Sequence, residues 1–273
     1  PAAMRVIVTR PEREARGWSQ QLSARGFDVL ALPLIEIGPV TDPLARQALD
    51  SAWQRLDGYF AIMFVSGNAV MHFFASKPSS AHIPRAWSAI NSGIQKNFLP
   101  RCWAPGPGTV RALQHAGVAA HAIDAPDAQS GQFDSEALWQ QVHARVPPGA
   151  RVLIVRGADE GTNAGRDWLA HQLAAAAAQV ETVAAYERRV PVLEAQQLAL
   201  AQQAAQDGSV WLFSSSQAIR HLAQLLPAQH WGRARAVATH PRIAQTARQA
   251  GFGVVCESRP TLDDVVASIE SVP

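Results

Sequence analysis

FVSGNAVMHF, residues 64–73, reappears 149 positions later as FSSSQAIRHL, residues 213–222. Phe, Ser, Ala and His coincide, and Val70 meets Ile219. Each copy leaves a short aliphatic run (IMFV in the first, VWLF in the second), crosses a small polar turn and enters a helical pattern. Unbroken aliphatic runs suit strands buried on both faces of a parallel sheet. Strand, turn and helix in that order make an α/β unit with a right-handed crossover.

The repetition extends outward from this phrase. RVIVTR (5–10) matches RVLIVR (151–156), and APGPGTVRALQHAGV (104–118) matches ATHPRIAQTARQAGF (238–252). Three pairs in the same order point to a duplication. Helix ends are marked too: Gly26 follows Glu12–Arg25, and Gly117 follows Arg111–Ala116, as C-terminal caps. The segment Asp134-Ser135-Glu136 reads as the cap of a further helix. Taken alone, the tandem repeat suggests a boundary near residue 149.

Six polar phrases fall where a strand gives way to a helix. They are Thr9-Arg10-Pro11, Ser66-Gly67-Asn68, Pro105–Thr109, Arg156-Gly157, Ser214-Ser215-Ser216 and Thr239-His240-Pro241. Ligands of parallel sheets sit beyond the carboxyl ends of the strands, and helix N-termini there favour anions. Ser, Thr, Asn and Pro also cap helices with no ligand involved. Six such turns in two domains predict a cleft lined with donors for anionic groups.

Composition narrows the class. The chain has 273 residues, 48% hydrophobic and 17% charged, enough for two globular domains. Lys plus Arg number 24 against 22 Asp plus Glu, with no basic block, so no nucleic-acid footprint is expected. Lysine occurs only at Lys77 and Lys96, which leaves the positive charge to arginine, a fork suited to carboxylates. No run nears the about 18 apolar residues of a membrane helix. Cys102 and Cys256 lack metal-ligand spacing and fit reduced thiols in the cytoplasm. Dinucleotide and P-loop fingerprints, zinc-protease spacing and a hydrolase elbow around Ser66 are all missing. An enzyme or binding protein needing neither metal nor nucleotide is expected. The eight tryptophans are scattered and suit core packing.

VIVTRP, the strand VLALPLIEI (29–37), FVSGNAV, GPGTVRAL and DSEAL resemble segments of the uroporphyrinogen-III synthases. So do VLIVRG, VAAYERRVP (183–191), LFSSSQAI and HPRIAQTARQAGF, in order over residues 5–269. The resemblance implies two similar three-layer parallel-sheet (flavodoxin-like) α/β domains, one discontinuous, joined by a two-stranded linker. Residues 1–36 with 192–273 would form the discontinuous domain and 42–186 the inserted one, with linkers at about 36–42 and 186–192. Such linkers form a hinge. By offset, Pro33 and Tyr186 are equivalent points of the two repeats.

The resemblance also implies a hydro-lyase in heme biosynthesis, acting as a monomer without cofactor or metal. Its substrate is hydroxymethylbilane, a linear tetrapyrrole with eight carboxylates, closed with inversion of the terminal ring through a spiro intermediate. Tyr186 matches the tyrosine that assists departure of the hydroxyl; it equally suits packing at the hinge. Thr109, beside Gly106, matches a threonine that either binds an acetate or propionate side chain or caps its helix. Ser66, Gly67, Asn68 and Ser214, Ser215, Ser216 match turns that face the product. Arg10 and Arg156 either pair with substrate carboxylates or form structural salt bridges, the latter favoured for Arg156 with Gly157. At the second G-P-x-T position stand His240 and Ile243, so carboxylate capture there would fall to His240, Arg242 or backbone amides. The Ser- and Pro-rich segment 76–100 reads as a loop with one short helix at the rim of the cleft. The alternative is a two-lobed binding protein for a polyanionic small molecule.

Overall fold

The repeated aliphatic runs become the central strands of two sheets. A computed structural model describes residues 3–88, 99–127, 134–158 and 164–273. Its strands are β1 Arg5–Val8, β2 Asp28–Ala31, β3 Glu36–Pro39, β4 Ala61–Phe64, β5 Arg101–Trp103 and β6 Ile123–Asp124. Then come β7 Arg151–Gly157, β8 Gln179–Arg189, β9 Val210–Phe213, β10 Arg235–Ala238 and β11 Val254–Glu257. The helices are α1 Glu12–Ala24, α2 Pro43–Gln54, α3 Gly67–Ala75, α4 Pro107–His115 and α5 Ser135–Val142. After them follow α6 Ala164–Ala175, α7 Ala195–Ala204, α8 Ser216–Leu225, α9 Pro241–Gln249 and α10 Leu262–Ser271.

The chain divides into two units, Pro1–Ile37 with Arg189–Pro273, and Gly38–Arg188. One sheet has the order β11-β10-β9-β1-β2 and the other β3-β8-β7-β4-β5-β6. The two have the same plan. β1 lies parallel between β2 and β9, with Val6 opposite Val210; β7 lies parallel between β8 and β4, with Val152 opposite Ala61. Arg235 of β10 sits opposite Val210 as Arg101 of β5 sits opposite Ala61. Residues matched by the sequence repeat thus occupy matched registers. The halves are nevertheless exchanged: β1, with β2 on its other side, pairs with β9 and not with β4, so a boundary near residue 149 does not describe the units.

Alternation along each strand serves two cores. In the first unit Ile7, Trp211 and Phe213 face α7, α8 and α9, where Ala204, Leu222 and Ala247 meet them. Val6, Val8, Val210 and Leu212 face α1 and α10 through Leu22, Val265 and Ile269. Each such aliphatic side chain contributes about 1.5–3 kcal/mol when fully buried, which is why the runs show no polar alternation. In the second unit Met63, Val152 and Ile154 pack on α5 and α6. Trp53, Phe64 and Phe73 form an aromatic cluster, with the Trp53 and Phe73 rings stacked at 4.5 Å. Trp53, Trp87, Trp103 and Trp211 are among the largest fully buried side chains.

Local signals place the helix ends. Asp134 accepts the Ala137 N–H at 2.9 Å and caps α5. Gly117 and Gly251, equivalent in the repeat, both take φ +97° after their helices, a region open to glycine without steric cost.

Two expectations change. The stretch VLALPLIEI is not one strand: β2 ends at Ala31 and β3 begins at Glu36 in the other sheet. Pro33 lacks the N–H a central ladder needs, and the Leu34 N–H goes to the Thr9 carbonyl at 3.1 Å. The pairing of Asp28 with Arg5 and of Gln179 with Arg151 sets the offset at 151, and the extra residue of β8, ahead of the pairing of Gly157 with Tyr186, makes it 152 there, which brings Tyr186 level with Leu34 and not Pro33. Among the described residues of segment 76–100, the helix is a single 3-10 turn, Arg85–Trp87, anchored by the buried Trp87 donating to the Pro100 carbonyl at 2.8 Å. The rest of the expected rim, residues 89–98, lies outside the described residues.

Candidate functional site

Five of the six polar phrases follow the carboxyl ends of strands, and the sixth, Arg156-Gly157, forms the last two residues of β7; three lie in each unit. In the second unit they come after β4, after β5 and at the end of β7. Ser66 is the N-cap of α3, its Oγ accepting the Ala69 N–H at 3.1 Å. Gly67 and Asn68 form the first turn of that helix. A Cβ on Gly67 would stand 3.7 Å from the Ala112 Cβ and 3.8 Å from the Gly108 carbonyl, so the starts of α3 and α4 lie side by side. Gly106 caps α4 with no side chain, and Thr109 is buried on the first turn. First-turn N–H groups have no intrahelical acceptor, and at α4 no side chain takes one. Among the described residues this turn is an open anion seat of the second unit.

Tyr186 is brought to the same place by an irregularity in β8. The register runs Arg156 opposite Ala184 and then Gly157 opposite Tyr186, so β8 carries one extra residue at Ala185. A bulge of this kind re-aims the side chain that follows it. Tyr186 is 1% exposed, its hydroxyl 3.5 Å from the Ser66 Oγ and its ring centroid 5.7 Å from that of His72 on α3. The linker beside it is tied by Thr41, whose hydroxyl donates to Glu187 at 2.9 Å. Arg156 makes no ion pair among the described residues, so the structural salt bridge expected for it is not found there.

In the first unit the turns follow β1, β9 and β10. Arg10 lies over the Trp18 ring, 4.6 Å from its centroid. Burial lowers the guanidinium pKa, and the nearby Glu14 charge works the other way. The Arg10 Nε and the Ser214 Oγ are enclosed and have no hydrogen-bond partner. They stand on the residues following adjacent strands, since Val8 pairs with Leu212 and the Thr9 hydroxyl donates to the Leu212 carbonyl at 2.7 Å. Unpaired buried polar atoms are costly, and a carboxylate would satisfy both. Ser215 caps α8 by accepting the Gln217 N–H at 3.1 Å. Ser216 accepts from the Thr246 hydroxyl at 3.2 Å.

His240 is the N-cap of α9: its Nδ1 accepts the Arg242 N–H at 3.0 Å, so the imidazole occupies the seat that a carboxylate would take. The exposed Arg242 side chain remains available on that turn. Sequence reasoning passed over His72, although it stood in the repeated phrase opposite His221. Among the described residues no group of three His, Cys, Asp or Glu side chains is placed to hold a metal ion, and no helix is long and apolar enough to cross a membrane.

The sequence model of the family described as uroporphyrinogen-III synthase HemD matches residues 17–267. Among solved structures, uroporphyrinogen-III synthetase from Helicobacter pylori 26695 aligns over 99% of each chain at 14% identity, with a TM-score of 0.55. A mutant uroporphyrinogen III synthase from the extremely thermophilic bacterium Thermus thermophilus aligns over 98% of each chain at 18% identity, with a TM-score of 0.49. The Helicobacter likeness shows a shared two-domain α/β fold.

Proposed function

The chain belongs to the uroporphyrinogen-III synthase family, enzymes of tetrapyrrole biosynthesis, and on that premise we propose that it is a hydro-lyase acting on hydroxymethylbilane. The product is the macrocycle with its terminal ring inverted. The step asks for three things: a proton for the departing hydroxyl, seats for the carboxylates, and control of how the chain ends meet.

Tyr186 supplies the first. In the opening step the C–O bond of the hydroxymethyl group breaks, pushed by the pyrrole nitrogen lone pair. The oxygen leaves as water with the phenolic proton, and positive charge stays on the pyrrole. Ring attack, rearrangement through the spiro intermediate and closure then release a proton, which restores the phenol. Phenols as a class are neutral at physiological pH and can donate a proton without bringing a charge into the site. The observation that carries this role is the bulge in β8, which sets Tyr186 beside the α3 N-terminus.

The strand-end turns supply the seats. Gly106 and Thr109 offer N–H groups at the start of α4, and the Arg10 Nε and the Ser214 hydroxyl are enclosed without a hydrogen-bond partner. Dispersed donors of this kind position a flexible polyanion, and positioning is the larger part of the task, because closure unaided does not invert the ring. Cys102 and Cys256 are free thiols, which suits a cytoplasmic setting.

The test is direct. The protein is incubated with freshly generated hydroxymethylbilane, the products are oxidised and the type I and type III isomers are resolved. Type III should dominate; a mixture no richer in type III than the enzyme-free control would sink the reading.

A further inference from the structure

We infer that Ser66 and His72 are positioning residues for Tyr186, Ser66 through the phenolic oxygen and His72 through the ring. This rests on the role proposed for Tyr186. Both residues belong to the α3 turn and helix, six positions apart, and both meet one side chain of β8.

The case for Ser66 starts from its lone pairs. As N-cap it accepts the Ala69 N–H at 3.1 Å, which anchors the oxygen to the helix and leaves its proton free to be donated. The Tyr186 oxygen lies 3.5 Å away, a long contact that shortens when a substrate packs on the site. With Ser66 as donor, the phenolic proton is not held by Ser66 and can pass to the leaving hydroxyl. Were Tyr186 the donor instead, its proton would be held by Ser66 and withheld from the substrate.

The case for His72 comes from its counterpart. His221 occupies the same place in the other copy of the repeat, on α8, and is 8% exposed. Its Nδ1 lies 2.6 Å from the Leu34 carbonyl, so it ties down backbone in the stretch after β2. The counterpart of that stretch is the part of β8 that carries Tyr186, because β2 and β8 occupy matched places. There His72 meets a phenol ring, tilted by 35°. A histidine at this helix position therefore reaches the segment after the second strand in both units. In the first it meets a backbone carbonyl, and in the second the acid. The bulge turns Tyr186 toward α3, and the His72 ring defines the plane in which the phenol comes to rest.

The chain has two tyrosines, Tyr59 and Tyr186, so 3-fluorotyrosine labelling of the full protein yields two 19F resonances. The one lost in Tyr186→Phe is that of Tyr186. Ser66→Ala and His72→Ala should each move that resonance and leave that of Tyr59 in place. Ser66→Ala should lower kcat about tenfold with KM within twofold, as expected for a group that matters only as the proton is transferred. His72→Ala should do the same to a smaller degree. Ser66→Thr, which keeps cap and donor, and His72→Phe, which keeps a ring, should restore both readouts. Thermal melts report the cap by itself, since Ser66→Ala should melt below Ser66→Thr, while the resonance and kcat report positioning. A Tyr186 resonance that stays in place in both alanine variants would overturn the inference, and so would a wild-type kcat in both. Failure of the reaction itself would look different: wild-type protein would give no excess of type III, while the Tyr186 resonance would still answer to Ser66 and His72.

Discussion

Tyr59→Phe removes one hydroxyl from the entry end of the second sheet, at the opposite end of the strands from Tyr186. Tyr59 is 1% exposed, and its hydroxyl donates to Glu181 of β8 in a short hydrogen bond. The same carboxylate accepts from Arg151 at 2.6 Å and faces Arg55 at 3.5 Å. The Arg151 guanidinium lies 5.1 Å from the Tyr59 ring centroid. A hydrogen bond to a charged acceptor contributes about 1.5–3 kcal/mol. The Glu181 side chain is 32% exposed, so water replaces part of what is lost, and the cost at pH 7 falls at the lower end, ~1.5 kcal/mol.

That contribution has two pH limits. Burial, then the hydrogen bond to Glu181, raises the Tyr59 pKa to about 12 from 10.0. The unfolded tyrosine ionises near about 10 and the folded one later, so the stabilisation is whole below the unfolded value and fades as pH rises through the folded one. Two pKa units correspond to at most ~2.7 kcal/mol, and solvent at the carboxylate trims this to about 2 kcal/mol. The wild-type advantage should therefore shrink by pH 11 and vanish near 12. At the acid end, burial pushes Glu181 up, but hydrogen bonds from Tyr59 and Arg151 and the charges of Arg55 and Arg151 outweigh it and hold its pKa low. Its stabilisation is present above the unfolded value near ~4.3 and is lost as pH falls through the lower folded one. Urea melts of both proteins between pH 3 and 11 read the gap. In Tyr186→Phe protein Tyr59 is the single tyrosine, so its phenolate absorbance titrates alone. An absorbance midpoint near 10, or an equal stability gap at pH 7 and pH 11, would refute the reasoning.

Tyr186→Phe should lower type III formation about 100-fold, the low end of general-acid contributions, with an unchanged far-UV spectrum; a wild-type rate would reduce Tyr186 to a linker residue. Arg10→Gln should raise KM about tenfold and leave kcat nearly as it is, the pattern of carboxylate binding made equally in ground and transition states; a fall in kcat alone would place Arg10 in the chemistry instead. Gly253→Ala should cost about 2–3 kcal/mol by chemical denaturation, because the new methyl would overlap the backbone carbonyl of Gly232. Wild-type stability there would show that this approach relaxes freely.

Much of the architecture was readable before any coordinates. Aliphatic runs such as RVLIV and VWLF declare strands covered on both faces, and the cap residues Ser66, Asp134 and Ser215 mark helix starts where they occur. Both signals are local, since burial and capping act within a few residues. The repeat supplied the equivalence of the two copies, and Val6 opposite Val210 matches Val152 opposite Ala61 in register as well as in kind. The positions of Arg10 and Thr109 just beyond strand ends were likewise legible, because ligand seats in a parallel sheet depend on topology more than on any one motif.

Which copy of a strand pairs with which is another matter. β4 and β9 end in nearly the same phrase, and either presents β1 with an aliphatic edge of the same length. Nothing within one strand tells them apart, so the exchange of halves is settled by long-range packing, and from the residues alone a boundary near 149 looked natural. The bulge at Ala185 is hidden for the same reason: an alternating stretch reads as an even ladder until its neighbour fixes the register. The amino-acid sequence by itself determined the strand–turn–helix units, their duplication and the polar turns that close them. The family resemblance implied that the first strands join the last ones; only the tertiary structure decided that they do so through β1 against β9, and that one extra residue in β8 turns a linker tyrosine toward Ser66 and His72. Hydrophobic burial selects elements one at a time, whereas register and partnership exist only between them.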